Sequence, residues 1–565
     1  MILLNPKHHD RVYHDEESRQ VMRKTIGFFE AKGKARLKQD DRDRVWYADF
    51  LEFVKKERIF ATLLTPAPYG GGRTRWDTWR NCEFNEITGF YGLHYWYTWQ
   101  VSILGLGPLW MARNEETKRR TARLLEDGGI FAFGLSERAH GADLYSTEMT
   151  LTPQPDGSFR ANGSKYYIGN ANKAAVVSTF GKVAGTGEFV FFAVDRERGG
   201  YECVRNVVNN QSYVGEYALR DYHVPAGDVL ERGDEAWDAA LNTVNIGKFN
   251  LGWASIGICT HAFYEAINHA ANRRLYGQRV TDFPHIRQFM TDAWTRLVAM
   301  KLFALRASDY MRSASTADRR YLLYNPLVKM KVTTQGEEVV NLLWDVIAAK
   351  GFESDAYFEM ATRDIRALPK LEGTVHVNMA LVVKFMKNYF FAPAALPEVP
   401  RRDDPAEDSF LWSQGPAKGL GKIQFHDFRL AYGPVELPNV KLFKEQVKTL
   451  EAFLVKATPT EEQGKDIDFL LSVGEIFTLV AYGQLILENA RIYGIPDDVV
   501  DQVFDVQVRD LSRFALQIYS KPSATAAQQE LCLKMIRRPV GDDGRRERVW
   551  RDHVFAAEGV YTMSP

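Results

Sequence analysis

The chain reads as an α+β fold that is mostly α, with a small β unit set between helical stretches. Three observations lead there. Apolar residues in the first roughly 125 positions recur at spacings of three and four, the signature of a helical stripe. Between Gly128 and about Leu230, β-branched and aromatic residues alternate with polar ones instead. From about Asp234 the helical spacing returns, in long segments.

An N-terminal helical domain is predicted over residues 1–127, where DEESRQVMRKTIGFFEAKGKARL and VWYADFLEFVKKERIF each carry a stripe. The β domain spans 128–233. STEMTLTP and SFRANGSKYYIG flank Asp156-Gly157, a strong short-range hairpin signal. AAVVSTFGKV and EFVFFAVD add two strands before the exit at Val224-Pro225, so an antiparallel unit is expected. A helical unit follows over 234–395. LPEVPRRDDPAEDS, residues 396–409, has the proline- and charge-rich composition of a linker. Residues 410–565 read as an additional helical domain, and no internal repeat or low-complexity tract interrupts the pattern.

At 565 residues the chain exceeds one hydrophobic core. Its 72 basic and 72 acidic side chains cancel, which weighs against a protein built to grip phosphate backbones. Cys82, Cys203, Cys259 and Cys532 are far apart and form no CxxC unit, so neither structural zinc nor a disulfide framework is expected, and a reducing compartment fits. The opening MILLNPKHHDRVYHDEE turns polar too soon for a secretory or transit segment, and a cytoplasmic protein is expected. FLLSVGEIFTLVAYGQLIL contains Glu475 and Gln484 and reads as a buried core helix rather than a membrane span.

Generic motifs give little. Gly70-Gly71-Gly72 and GPAKGLGK (415–422) match no phosphate loop, since Lys422 precedes isoleucine. No GxGxxG follows a strand, and neither HExxH nor GxSxG is present. His8, His9 and Asp10 read as a terminus rather than a metal cluster, so no metal is expected.

Four separated stretches say more together: FGLSERAHGADLYST (133–147), ANGSKYYIGNANKAAVV (161–177), NRRLYGQRVTDFPHIRQF (272–289) and RDIRALPKLEGTVHVNMAL (363–381). In this order on a helix–β–helix chain they resemble the acyl-CoA dehydrogenase family over roughly residues 20–390. Beyond about 400 the likeness is only to the extra helical domain of the family's longer members. The resemblance implies a small antiparallel β-barrel or sandwich, a C-terminal four-helix bundle and FAD as cofactor. It assigns Phe133, Leu135, Ser136 and Gly141 to the flavin, with Ala142 where serine is usual. Tyr167 stands where an aromatic flanks the flavin. Gly169 replaces the threonine whose hydroxyl points to N5, a loss of about 1 kcal/mol of hydrogen bonding.

Arg273 and Tyr276 match residues that reach FAD held mainly by a neighbouring subunit, which implies a homodimer or homotetramer. Asp345 and Ala348-Ala349 stand in place of a glutamine and a glycine pair, while Gly351 is retained and Thr374 completes the cofactor set. Glu372, within Leu371-Glu372-Gly373-Thr374, matches the catalytic base. Some members carry the base at the site of Gly247, where glycine cannot serve, so the role falls to Glu372. Gly373, Tyr97 and Lys248 (where arginine is usual) are assigned to the substrate.

The implied reaction is α,β-dehydrogenation of an acyl-CoA or acyl-carrier-protein thioester, with a partner such as electron-transfer flavoprotein taking the electrons. Glu372 is to sit over the α-carbon in a dry pocket, hydrogen bonds are to meet the thioester oxygen as it gains charge, and flavin N5 is to receive the β-hydride. Two other readings stay open. One is a flavin oxidase or monooxygenase, suggested by Ala142 and Gly169. The other is a non-catalytic, nucleic-acid-associated relative, against which the zero net charge and Glu372 weigh. In GFYGLHYWYTWQ, Tyr95, Trp96, Tyr97 and Trp99 are either core or a wall that shortens the acyl cavity.

Overall fold

The computed structural model describes residues 2–9, 13–414 and 419–565. Asp10 of the histidine cluster and residues 415–418 of the GPAKGLGK stretch lie outside them. The chain forms two compact units. One comprises Asp10–Asn250, Asp404–Lys418 and Met563–Pro565; the other Met1–His9, Leu251–Asp403 and Gly419–Thr562.

The first unit holds α1 (Glu16–Asp43), α2 (Ala48–Lys56), α3 (Ile59–Leu64), α4 (Thr78–Tyr91), α5 (Leu93–Met111) and α6 (Glu115–Glu126). Asp15 caps α1 by accepting from the Ser18 amide at 2.8 Å, with Glu16 and Glu17 in the first turn where the helix dipole favours them. The stripe suggested one continuous helix, but Gly33 breaks it at φ 73°. A side chain there would meet the Pro565 carbonyl, and the freed Lys34 amide donates to Ser564 O at 2.8 Å. α5 is buried along nearly its whole length because Gly105 lets it touch the sheet: a Cβ there would come within 2.7 Å of the Ala132 backbone.

The sheet comprises β1 (Phe131–Gly134), β2 (Thr150–Pro153), β3 (Phe159–Gly169), β4 (Val176–Val183), β5 (Phe189–Val194), β6 (Tyr201–Asn206), β7 (Val214–Val224) and β8 (Val229–Arg232). Its order is β6-β7-β3-β2-β4-β5-β8, with β1 beside β4. The expected hairpin is present: Pro153 pairs with Phe159 around Gly157, whose φ of 83° suits glycine. The sheet is not purely antiparallel, because β1 and β2 both run parallel to β4. The segment joining β1 to β4 is long enough to turn back twice, which lets β4 run in the direction of β1. Met149, Leu151, Val177, Phe192, Tyr217 and Val224 are among the side chains that fill its core.

α7 (Gly233–Asn272) begins in the first unit and ends in the second. The second unit continues with the hairpin β9 (Arg274–Leu275) and β10 (Gln278–Arg279), then α8 (Pro284–Arg312), α9 (Tyr321–Leu327), α10 (Thr333–Ile347), α11 (Tyr357–Asp364), α12 (Val375–Val382) and α13 (Met386–Phe391). After the connector come α14 (Arg429–Tyr432), α15 (Pro438–Lys456), α16 (Glu461–Lys465), α17 (Ile467–Tyr493), α18 (Asp497–Tyr519), α19 (Ala526–Met535) and α20 (Asp543–Val549). α17 is long and apolar enough to cross a membrane by composition, yet 83% of that window is buried inside the protein.

Two ion pairs join α8 to α18, the first buried and the second partly exposed. Arg296 holds Asp510 with two hydrogen bonds of 2.8 and 2.9 Å, and Arg509 holds Asp292 in the same way. The connector is packed rather than free, contrary to its linker composition. Arg306 donates to Val399 O at 2.7 Å and Arg320 to Pro397 O at 2.9 Å. An extended, proline-rich segment offers unpaired carbonyls, and buried guanidinium groups need such acceptors.

Arg306 also donates to Glu488 at 2.8 Å, beside Gln484 at 2.8 Å and His426 at 3.4 Å. Burial pushes the Glu488 carboxyl up, but the His426 hydrogen bond and the Arg306 charge outweigh it and hold it at about 2, below the ordinary 4.5. A depressed carboxylate stabilises the fold fully above pH 4.5 and loses that contribution as pH falls toward 2. Urea unfolding at pH 6 and pH 3 should therefore show wild type losing about 2 kcal/mol more than Glu488→Gln. Equal losses would mean that this carboxylate does not govern acid stability.

Candidate active site

In the first unit the site is built on a defect in β3. Lys165 pairs with Tyr217 and Ile168 with Gly215, so Tyr166 and Tyr167 together face one residue of β7. This bulge re-aims the strand. Tyr167 takes φ 64° and leaves its ring 62% exposed, an uncovered aromatic surface beside the sheet. Asn170, also at positive φ, is buried and donates to Phe131 O at 2.9 Å and Thr98 O at 3.1 Å, tying the end of β3 to β1 and α5.

The first motif is fastened to the bulge. Ser136 Oγ donates to Tyr166 O at 2.6 Å, and the Tyr166 amide donates to Ser136 O at 2.9 Å. Below them Lys165 Nζ reaches Leu135 O at 3.0 Å and Glu137 Oε1 at 2.8 Å. Burial pushes the Lys165 ammonium down to about 8 against the pull of Glu137. For Glu137, burial acts upward, but Lys165 and the hydrogen bonds from Thr147 and the Glu148 amide leave its carboxyl lowered. The pair pinches the loop between 137 and 147 at its base. Gly141 and Ala142 stay exposed, and nothing lies within 4 Å of a Cβ placed on Gly141. Phe133 is different: its ring is buried against Phe191 at 5.8 Å, so only its backbone is available to a ligand.

Gly169 is explained by α5. A Cβ there would lie 2.8 Å from Tyr97 Cε1 and 2.7 Å from Val101 Cγ1, so the Tyr97 ring fills the space a side chain at 169 would need. The neighbouring rings belong to the core: Trp96 and Trp99 both donate to Asn85 Oδ1, at 2.7 and 3.1 Å, and Tyr95 packs on Phe29 and Phe50. Lys248 is half-buried on α7, and the Gly247 carbonyl accepts from Gln100 at 2.9 Å.

In the second unit, Glu372 and Gly373 take consecutive left-handed conformations, φ 51° and 84°. Lys329, in the π-turn Val328–Val332 between α9 and α10, is buried and donates to Pro369 O at 2.6 Å and Gly373 O at 2.5 Å. Asn378 donates to Gly373 O at 3.2 Å and Thr374 O at 2.9 Å, and Thr374 caps α12. The half-buried Glu372 is thus presented on a loop clamped from both sides.

Asp345 is exposed at the end of α10. Ala348 beyond it takes φ 56°, ψ −139°, a conformation that favours glycine and costs any other residue roughly 1–3 kcal/mol. Gly351 abuts Trp344, where a Cβ would lie 3.0 Å from the indole nitrogen. Arg273 is exposed before the β9–β10 hairpin, and Tyr276 at its tip is 95% exposed.

Residues 234–387 match the family model for the acyl-CoA dehydrogenase C-terminal domain. This stretch of the chain carries the acyl-CoA dehydrogenase C-terminal domain. A caffeyl-CoA reductase–Etf complex subunit of Acetobacterium woodii is 24% identical over 308 residues, 53% of this chain and 79% of that one. The rat very long-chain specific acyl-CoA dehydrogenase is 24% identical over 383 residues, 64% of this chain but 56% of its own length. The chain therefore spans little more than half of that mitochondrial relative. In fold, an acyl-CoA dehydrogenase of Bacillus anthracis complexed with FAD superposes with a TM-score of 0.77 at 18% identity, covering 98% of this chain and 97% of that one. The likeness of fold thus includes the helices after the connector.

Sequence reasoning passed over Lys165, Glu137 and Lys329, which position the loops that the family motifs mark. Glu137 and Lys165 lay inside two of the four stretches, but neither a lone glutamate nor a lone lysine carries a signal of burial. Two outcomes follow. Gly169→Ala should cost about 1–3 kcal/mol in urea unfolding and under 1 kcal/mol in a Tyr97→Ala background; equal costs would place the strain elsewhere. Lys329→Met should leave the helices intact but speed amide exchange at 370–374 at least tenfold, and unchanged exchange would show that Asn378 and Thr374 hold the loop alone.

Proposed function

We propose that the protein is an FAD-dependent dehydrogenase of acyl thioesters, with Glu372 as the base that removes the α-proton. The observation that carries the reading is the clamped Glu372-Gly373 loop: two left-handed residues held by Lys329 and Asn378 keep one carboxylate at a fixed place within the family domain. A base must be held within reach of the proton it takes, and fixing it in advance removes an entropic cost from the barrier.

The residues of the first unit fit a flavin. Tyr167 offers an uncovered ring for a planar partner, and the open Gly141-Ala142 segment leaves backbone amides accessible to a pyrophosphate. Leu135 and Ser136 sit at the base of that loop, and Tyr97 with Gly169 forms the wall beside it. When bound, FAD supplies a two-electron acceptor for the β-hydride. Gly373, Tyr97 and Lys248 are assigned to the thioester, Thr374, Asp345 and Gly351 to the cofactor, and Arg273 with the exposed Tyr276 to the cofactor of a second copy. A homodimer or homotetramer goes with that last assignment.

The substrate is an acyl-CoA or an acyl-carrier-protein thioester. Trp96 and Trp99 serve the core, so of these rings Tyr97 is the one we assign to the wall beside the acyl group. We take electron-transfer flavoprotein as the acceptor, since one relative is named as part of a reductase–Etf complex. Molecular oxygen is the second reading, favoured by the replacement of a polar side chain at 169 with the Tyr97 ring.

Anaerobic addition of acyl-CoAs to the flavin-loaded protein should bleach the flavin spectrum with at least one of them. Glu372→Gln should keep the flavin and lose that bleaching by at least a thousandfold in rate, about 4 kcal/mol of barrier. Bleaching at the wild-type rate in the variant would remove Glu372 from the chemistry. Peroxide formed in air without an added acceptor would favour the oxidase reading.

A further inference from the structure

The loop that carries Glu372 leads straight into α12, and α12 is seated on α17, one of the helices after the connector. Gly474 of α17 makes the close approach. A Cβ there would overlap Met379 Sδ, lie 3.0 Å from Met379 Cγ and come within 2.9 Å of Val383 Cγ1. Thr478, one turn along the same face of α17, places its hydroxyl 4.0 Å from Met379 Sδ. Met379 is 1% exposed, so this seat is closed to water. Its neighbour Asn378 is the residue that donates to Gly373 O and Thr374 O. The way α12 sits on α17 therefore sets where the Asn378 amide lies beneath the loop.

A second route runs through the π-turn Val328–Val332. Residues two apart on a helical turn project to opposite sides, and Lys329 and Lys331 leave this one in opposite directions. Lys329 goes to Pro369 O and Gly373 O. Lys331 goes to the additional helices, its Nζ 4.0 Å from Asp510 Oδ2 on α18 and 5.5 Å from the centre of the Tyr482 ring on α17. Burial pushes its ammonium down, against the pull of Asp510 and of Glu475, the residue next to Gly474. A buried ammonium must keep to such partners. α17 and α18 thus fix one side of the turn, and its other side clamps the loop.

We infer that α17 and α18 position the Glu372 loop, with Gly474, Met379 and Lys331 as positioning residues that act on the Gly373 carbonyl through Asn378 and Lys329. The two routes start from different helices and end on one atom. Their effect on the chemistry rests on the reading of Glu372 as the base; their hold on the loop does not. A base displaced by about 1 Å loses about a hundredfold in rate, so small movements of α12 or of the π-turn reach the reaction.

Amide exchange at 370–374 and anaerobic flavin reduction by acyl-CoA, both on the flavin-loaded full chain, test this. Gly474→Ala and Lys331→Met should each speed exchange at least fivefold. Each should slow reduction at saturating acyl-CoA at least tenfold while changing the half-saturating concentration less than twofold. Phe443→Leu, on α15 with its ring packed on Tyr432 and Phe504, should change neither readout more than twofold, whereas a general loss of stability would move all three variants alike. In a Lys329→Met background, Lys331→Met should add less than twofold to exchange and Gly474→Ala should keep its effect. If Gly474→Ala does not fold, Lys331→Met and its combination with Lys329→Met decide alone. Exchange unchanged in the variants, or raised as much by Phe443→Leu, would overturn the inference and leave the dehydrogenase reading standing. Faster exchange with reduction at the wild-type rate would overturn Glu372 as the base and leave the support of the loop by α17 and α18 standing.

Discussion

An ammonium group buried away from water has to find its acceptors inside the protein, and two lysines meet that demand at the two places where this chain's family motifs lie. Lys165 takes the Leu135 carbonyl and the Glu137 carboxylate. Lys329 takes two loop carbonyls, from Pro369 and Gly373. An unmatched buried charge costs several kcal/mol, more than a surface loop gains from its own turns. The loops therefore settle around the lysines rather than the lysines around the loops. The positive φ values at Tyr167, Glu372 and Gly373 become tolerable in that setting, because the anchoring bonds over-determine the backbone.

The helices after the connector use the same currency of charge on a larger scale. Arg296 on α8 lies inside the matched family domain, and its bidentate partner Asp510 lies on α18, far beyond it. Arg509 and Asp292 repeat the arrangement with the charges exchanged. Each side of that boundary leaves buried charge exposed if the other is absent. The additional helices and the family domain therefore make a single folding problem, and the connector between them is held through its carbonyls by Arg306 and Arg320.

Much of this was legible in the sequence, and unevenly so. Local patterns located the helical stretches, the β2–β3 hairpin and the core character of α17, because each depends on periodicity or on a turn dipeptide. The order of the motifs brought out Ser136, Tyr167 and Glu372. Short or charged strands escaped: β1 has four residues, and β7 carries Glu216, Arg220 and Asp221. The parallel pairing of β1 with β4 depends on how a long excursion returns, which no local pattern encodes. Phe133 took a cofactor role from its motif, yet its ring serves the core. Gly169 could not be understood from its own neighbourhood, because its reason is a ring contributed by α5, some seventy positions earlier.

That last pairing constrains how the wall can be altered. A side chain at 169 and the ring at 97 compete for one volume, so neither position can be enlarged alone. Restoring a hydroxyl at 169 requires a smaller residue at 97, and the two substitutions count as one change rather than two. The wall is a property of the pair, shared by two elements that meet only in the folded chain.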